Sequence, residues 1–286
     1  MIKIIDTYSK INSLFDNGTF NFSKWEHYIN EIYNDSADIF KDEMDEFIVS
    51  GSYNFEEDFL PIISAVYDNP KLDILYDSFC VVTSNLNEKI VREFGKELNV
   101  DIVLYLGLCN GAGWVTNING FDIILLGIEK IIELNWVDQN SMYGLVYHEL
   151  GHVYQKQYGV LEQESDDNKR NFVWQLFIEG IAMFFEQKLL GNFDYYHQDV
   201  NGWKKYCEDD FTKILYDFNQ DLPSMTHSNQ RYFGDWCNYN GKGDVGYYLG
   251  ARFVHFLHNN YTFDQIICFN IDFVYDLYYA FIRLKL

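Results

Sequence analysis

His148, Glu149 and His152 fall in the run His148-Glu149-Leu150-Gly151-His152, an H-E-x-x-H pattern. If this segment is helical, residues four apart share a face, so both imidazoles can hold one divalent ion. Glu149, beside the first histidine, can reach a water molecule at that ion and take its proton. Two imidazoles with a carboxylate base is the working arrangement of hydrolytic zinc sites.

A catalytic zinc needs a third protein ligand and an open position for water. A second helical run from Phe172 to Leu190, ended by Gly191, carries candidates. Glu179 lies in Phe177-Ile178-Glu179-Gly180-Ile181-Ala182. Gly180 beside it would let two helices approach closely. Gln175, Glu179 and Glu186 share one side of this helix, away from Trp174, Ile178, Ile181 and Phe185. Glu186, seven residues on, is the same-face alternative to Glu179, and spacing does not separate the two.

The helices themselves are readable. From Ser141 to Gln157 there is no proline, and Asn140 or Ser141 can serve as N-cap. Met142, Val146, Leu150 and Val153 form an apolar stripe for a core, with the two histidines beside it and Glu149 at its edge.

H-E-L-G-H followed by E-G-I-A resembles the gluzincin pattern of zinc metallopeptidases, H-E-x-x-H…E-G-x-A. Metzincins would continue the motif with glycine and histidine where this chain has Gln155 and Tyr158, so that class is excluded. Residue by residue, the resemblance implies His148, His152 and Glu179 as ligands of one Zn²⁺ and Glu149 as general base. It covers roughly residues 100–260 and extends to uncharacterised domain families of zinc-protease type. Asp244-Val245-Gly246-Tyr247-Tyr248-Leu249-Gly250 is similar to the segment in which gluzincins carry a tyrosine near the substrate carbonyl. That implies Tyr247 as a catalytic hydroxyl, with Tyr248 beside it as a substrate contact. Asn110-Gly111-Ala112-Gly113-Trp114 stands where gluzincin aminopeptidases carry a G-A-M-E-N edge strand, which implies Gly111, Ala112 and Gly113 as substrate-binding backbone. The glutamate that grips a free amino terminus in that strand is missing here, which argues against aminopeptidase action.

The implied activity is hydrolysis of peptide bonds, with a peptide or protein as substrate. The alternative is a catalytically silent zinc-binding or peptide-binding module of the same fold, against which intact Glu149 counts. His255 and His258, three apart, are a possible second metal pair but lack a carboxylate at suitable spacing, so packing and surface roles are expected. His27, His197 and His227 carry no recognisable pattern.

Composition narrows the field. Forty-eight percent of the 286 residues are hydrophobic and 19% aromatic, ample for a sizeable core. A net charge of −22 argues against nucleic acid or an anionic membrane, because either would be repelled. Part of that charge sits in residues 31–58, expected to be a solvated face of N-terminal helices. The five scattered cysteines contain no C-x-x-C and read as free thiols of a reducing compartment. No apolar run suits a signal peptide or a transmembrane helix, so a cytoplasmic protein is expected, although a matured secreted form is compatible with the sequence.

The order of elements implies a predominantly helical α+β fold, with a small sheet preceding a zincin-like helical core. Residues 1–98 read as an N-terminal helical region and 99–286 as the gluzincin-like catalytic domain, with one compact unit as the alternative. Ser23-Lys24-Trp25-Glu26 fits a capping box opening a helix to about Phe47, broken by Gly51. Further helices are expected at Phe59–Tyr67, Lys71–Ser84 and Asn87–Leu98. Val100–Leu106 and Phe121–Leu126 are strand-like, separated by a glycine- and asparagine-rich stretch. After the polar loop 161–170, helical patterns recur at Phe172–Leu190, Trp203–Phe218, Asp244–His258, Thr262–Phe269 and Asp272–Leu286.

Overall fold

A computed structural model describes the chain except for residues 35–36, 50–52, 119 and 235–236, and the side chains of Glu43 and Phe47. Two compact units divide it, Met1–Glu149 and Leu150–Leu286.

The first unit is built on a four-stranded sheet of β1 (Lys3–Asp6), β4 (Asp101–Tyr105), β5 (Trp114–Ile118) and β6 (Phe121–Gly127), in the order β1-β4-β6-β5. β1, β4 and β6 run parallel, whereas β5 runs antiparallel to β6 and forms one edge. Ile102–Tyr105 and Ile123–Leu126 are all but fully buried, the near-continuous apolar run expected of central strands covered on both faces. A two-stranded ribbon of β2 (Phe15–Asp16) and β3 (Thr19–Phe20) is followed by the helices α1 (Phe22–Ile32), α2 (Ala37–Val49), α3 (Leu60–Ser64), α4 (Lys71–Thr83) and α5 (Leu86–Phe94). After β6 come α6 (Ile128–Glu133) and α7 (Gln139–Tyr158). The division between the units falls inside α7, whose backbone is continuous.

The second unit continues α7 and adds α8 (Asn168–Leu190), α9 (Trp203–Asp209), α10 (Phe211–Asp221), α11 (Val245–His258), α12 (Phe263–Ile266) and α13 (Ile271–Lys285). α8 is its axis. Phe172, Leu176, Phe177, Ile181, Phe184 and Phe185 are buried on several faces of that helix, as a helix surrounded by others requires. α11 packs closely on it: a Cβ on Gly250 would lie 2.5 Å from the Leu176 carbonyl oxygen.

The predominantly helical α+β class is as the sequence implies. Its internal division differs. The boundary expected between 98 and 99 would cut the sheet, because β1 pairs residue for residue with β4. The N-terminal region is therefore not purely helical. Lys3–Asp6 is too short to announce itself locally, and the pairing that makes it a strand lies nearly a hundred residues away. β5 was likewise hidden in a stretch read as a connection. The first long helix is capped by Asn21, whose side chain accepts from the Lys24 amide, rather than by Ser23, and it ends at Ile32 instead of running to Phe47. The expected break at Gly51 lies outside the described residues. Gly191 ends α8 in the left-handed conformation, as expected.

Candidate metal centre

α7 begins where Asp138 accepts hydrogen bonds from the Asn140 and Ser141 amides at 2.9 and 3.2 Å, so the cap is two or three residues earlier than expected. Met142, Val146, Leu150 and Val153 are fully buried, and this stripe fixes the rotation of the helix. Beside it His148 is buried, His152 retains 15% of its side-chain exposure, and Glu149 is half-buried.

The approach of α8 to α7 is set by Gly151. A Cβ at that position would stand 2.7 Å from the Cα of Ala182, a separation real atoms do not tolerate. Gly180, expected to serve this contact, instead faces α11, where a Cβ would overlap the Gly250 carbonyl. The glycine of H-E-L-G-H does the work assigned to the glycine of E-G-I-A.

With the helices this close, His152 Nε2 lies 3.4 Å from Glu179 Oε2. Glu179 is 14% exposed and faces the histidine rather than open solvent. One ligand atom each from His148, His152 and Glu179 lie within 4.8 Å of one another, a spread that one divalent ion can bridge. An acidic and two imidazole donors, partly desolvated and convergent, fit the N/O preference of zinc.

A second group shares His148. Glu186, fully buried, holds His197 Nδ1 at 3.1 and 3.0 Å from its two carboxylate oxygens. Ligand atoms of Glu186, His197 and His148 also fall within 4.8 Å of one another. Burial pushes the Glu186 carboxyl above the ordinary range, partly offset by His197. His197 was not singled out by any pattern. A glutamate closing the apolar run Ala182-Met183-Phe184-Phe185 was the available signal, since such a buried carboxylate requires a partner.

Tyr247, half-buried in the first turn of α11, stands T-shaped to the His197 ring at 6.3 Å between centroids, and its ring also meets Phe233 at 5.8 Å. Tyr248 goes elsewhere. It is 1% exposed, packed among Tyr196, Trp203 and Phe211, with its hydroxyl 3.3 Å from the Arg252 guanidinium. The substrate contact expected of Tyr248 is thus replaced by a core role, because the next residue of a helix points about 100° away.

The Gly111-Ala112-Gly113 segment lies beside the helix that carries Glu149. A Cβ on Gly113 would stand 3.2 Å from Leu145 Cδ2 and 3.8 Å from Glu149 Cγ. The Gly127 amide donates to the Ala112 carbonyl at 3.1 Å. Just before, the buried Glu129 carboxylate accepts from the Gly107 and Cys109 amides at 2.8 and 3.0 Å. Glu129, missed in the sequence, clamps the loop that leads into edge strand β5.

His255 and His258 take the packing and surface roles expected of them. His255 Nε2 is 2.7 Å from Gln187 Oε1, both rings pack on Phe184, and burial lowers the His255 pKa to about 4. Among the described residues no helix is long and apolar enough to cross a membrane. Comparison of the chain with protein-family models, curated proteins and solved structures found no match.

Proposed function

We propose that this chain is a zinc-dependent peptidase of gluzincin type, cleaving peptide bonds through activated water. The observation that carries this reading is the convergence of His148, His152 and Glu179 from two helices, with His152 and Glu179 3.4 Å apart. Those three residues would hold the ion. Bound there, Zn²⁺ supplies Lewis-acid activation of water at neutral pH.

The remaining roles belong to this chain's own groups. Glu149, next to His148 on α7 and half-buried, takes the proton of the attacking water and returns it to the leaving amine. The Tyr247 hydroxyl donates a hydrogen bond to the carbonyl oxygen as negative charge develops on it. β5 supports the binding side of the reading. Among the described residues it is an edge strand, antiparallel to β6, and the loop feeding it abuts Glu149. An extended peptide can add to such an edge by main-chain hydrogen bonds. With no carboxylate at Gly113 or Trp114 to bind a free amino terminus, internal cleavage fits better than removal of single N-terminal residues.

Purified protein should contain one zinc per chain and cleave members of a mixed peptide library, with cleavage lost on chelation and restored by zinc. Protein that neither binds zinc nor cleaves any member of the library refutes the proposal.

A further inference from the structure

His148 stands at the junction of two groups that each include its ring, one with His152 and Glu179 and one with Glu186 and His197. Its imidazole has two nitrogens. A histidine that binds a metal through one of them is held in tautomer and orientation by the partner of the other, most often a carboxylate. Glu186 is the residue suited to that task. It follows Glu179 by seven positions, two turns along the same face of α8, and is 0% exposed.

A buried carboxylate needs its own partners, and His197 supplies one. Its Nδ1 sits 3.0 Å from one Glu186 oxygen and 3.1 Å from the other. His197 comes from the loop after α8, beyond the Gly191 cap, and its side chain is 21% exposed. The pair therefore brings a buried carboxylate and a solvent-reachable imidazole within 4.8 Å, ligand atom to ligand atom, of the most buried donor of the site. A second ion in this place would have to share His148 with the first.

We propose that Glu186 and His197 are positioning residues, a buried carboxylate–imidazole pair that fixes the His148 ring for metal binding. This rests on the reading of His148, His152 and Glu179 as the zinc ligands. Glu186 restrains His148 directly, while His197 keeps Glu186 in place. Neither touches the substrate.

The test is zinc affinity, measured on the full chain by competition with a chromophoric chelator, for wild type, Glu186→Gln, His197→Gln and His152→Ala. Thermal melts of the metal-free proteins report folding separately. Glu186→Gln should weaken zinc binding about 10- to 100-fold. His197→Gln should weaken it by a smaller factor, with the metal-free melting temperature little changed. Cobalt-loaded Glu186→Gln should show shifted visible ligand-field bands, because the His148 geometry changes. Should Glu186→Gln fail to fold, His197→Gln and its cobalt spectrum carry the test alone. Unchanged affinity and spectrum in both variants, while His152→Ala loses the ion, would overturn the inference and leave the zinc reading standing. A second zinc equivalent in wild type, lost in Glu186→Gln, would also overturn it, because the pair would then be ligands themselves. If wild type binds no zinc at all, the reading on which the inference rests fails first.

Discussion

The Cα of Ala182 on α8 lies 2.7 Å from where a Cβ on Gly151 would be, so α7 and α8 meet at a point that has room for hydrogen only. One residue along α7 is His152, and three residues back along α8 is Glu179, whose carboxylate is 3.4 Å from that histidine. The spacing of the candidate ligands is thus a consequence of a missing side chain. Gly151→Ala should destabilise the protein by about 1–3 kcal/mol through overpacking, despite alanine's better helix propensity. It should also weaken zinc binding. Urea unfolding and chelator competition measure the two effects. An unchanged midpoint together with unchanged affinity would show that the helices have room to separate.

Glu149→Gln keeps the size of the side chain and removes its basicity. Turnover should fall by about 10²–10⁴-fold while zinc content stays at the wild-type level. Peptide cleavage assays with metal analysis on the same preparation check both. Retention of full activity would remove Glu149 from the role of base.

Zinc binding should couple to folding. At free zinc about 100-fold above its dissociation constant, the folded state gains about 2.7 kcal/mol. The melting temperature should therefore rise with zinc in wild type and stay flat in His152→Ala and Glu179→Ala. A persistent rise in Glu179→Ala would move the third ligand elsewhere, with Glu186 the nearest same-face carboxylate.

Tyr247→Phe deletes one hydroxyl. If that group serves the developing oxyanion, kcat should drop by about 10²-fold with KM little altered. Steady-state kinetics separate this from a binding role, in which KM would rise at constant kcat.

Glu129 gives a pH signature distinct from the metal centre. Burial pushes its carboxyl up to about 7 from an ordinary 4.5, against the pull of the Gly107 and Cys109 amides. Because the folded state holds this proton more tightly than the unfolded chain, stability from Glu129 is greatest at low pH. It declines as pH rises through the window between 4.5 and 7, by about 3 kcal/mol in all. Glu129→Gln does not titrate, so the advantage of wild type over this variant should shrink between pH 5 and pH 8 in urea unfolding. A gap that stays constant with pH would assign Glu129 an ordinary pKa.

Much of this could be read in advance, and for physical reasons. His148, Glu149 and His152 are bound to one helix, and the 3.6-residue turn carries the two histidines to one face whatever surrounds them. The stripe Met142–Val153, the Gly191 cap and the aliphatic strands Asp101–Tyr105 and Phe121–Gly127 are local patterns with local causes. What tertiary structure decided was everything joined across sequence. β1 became a strand only by pairing with β4, and Trp114–Ile118 an edge only because β6 lies on one side of it. Periodicity put Glu179 and Glu186 on the same face, and packing alone separated them, directing one toward His152 and the other toward His197. Gly180 and Gly151 look alike in a sequence; which helix each one faces is fixed by the rotation of α8 among its neighbours, a property of the whole bundle.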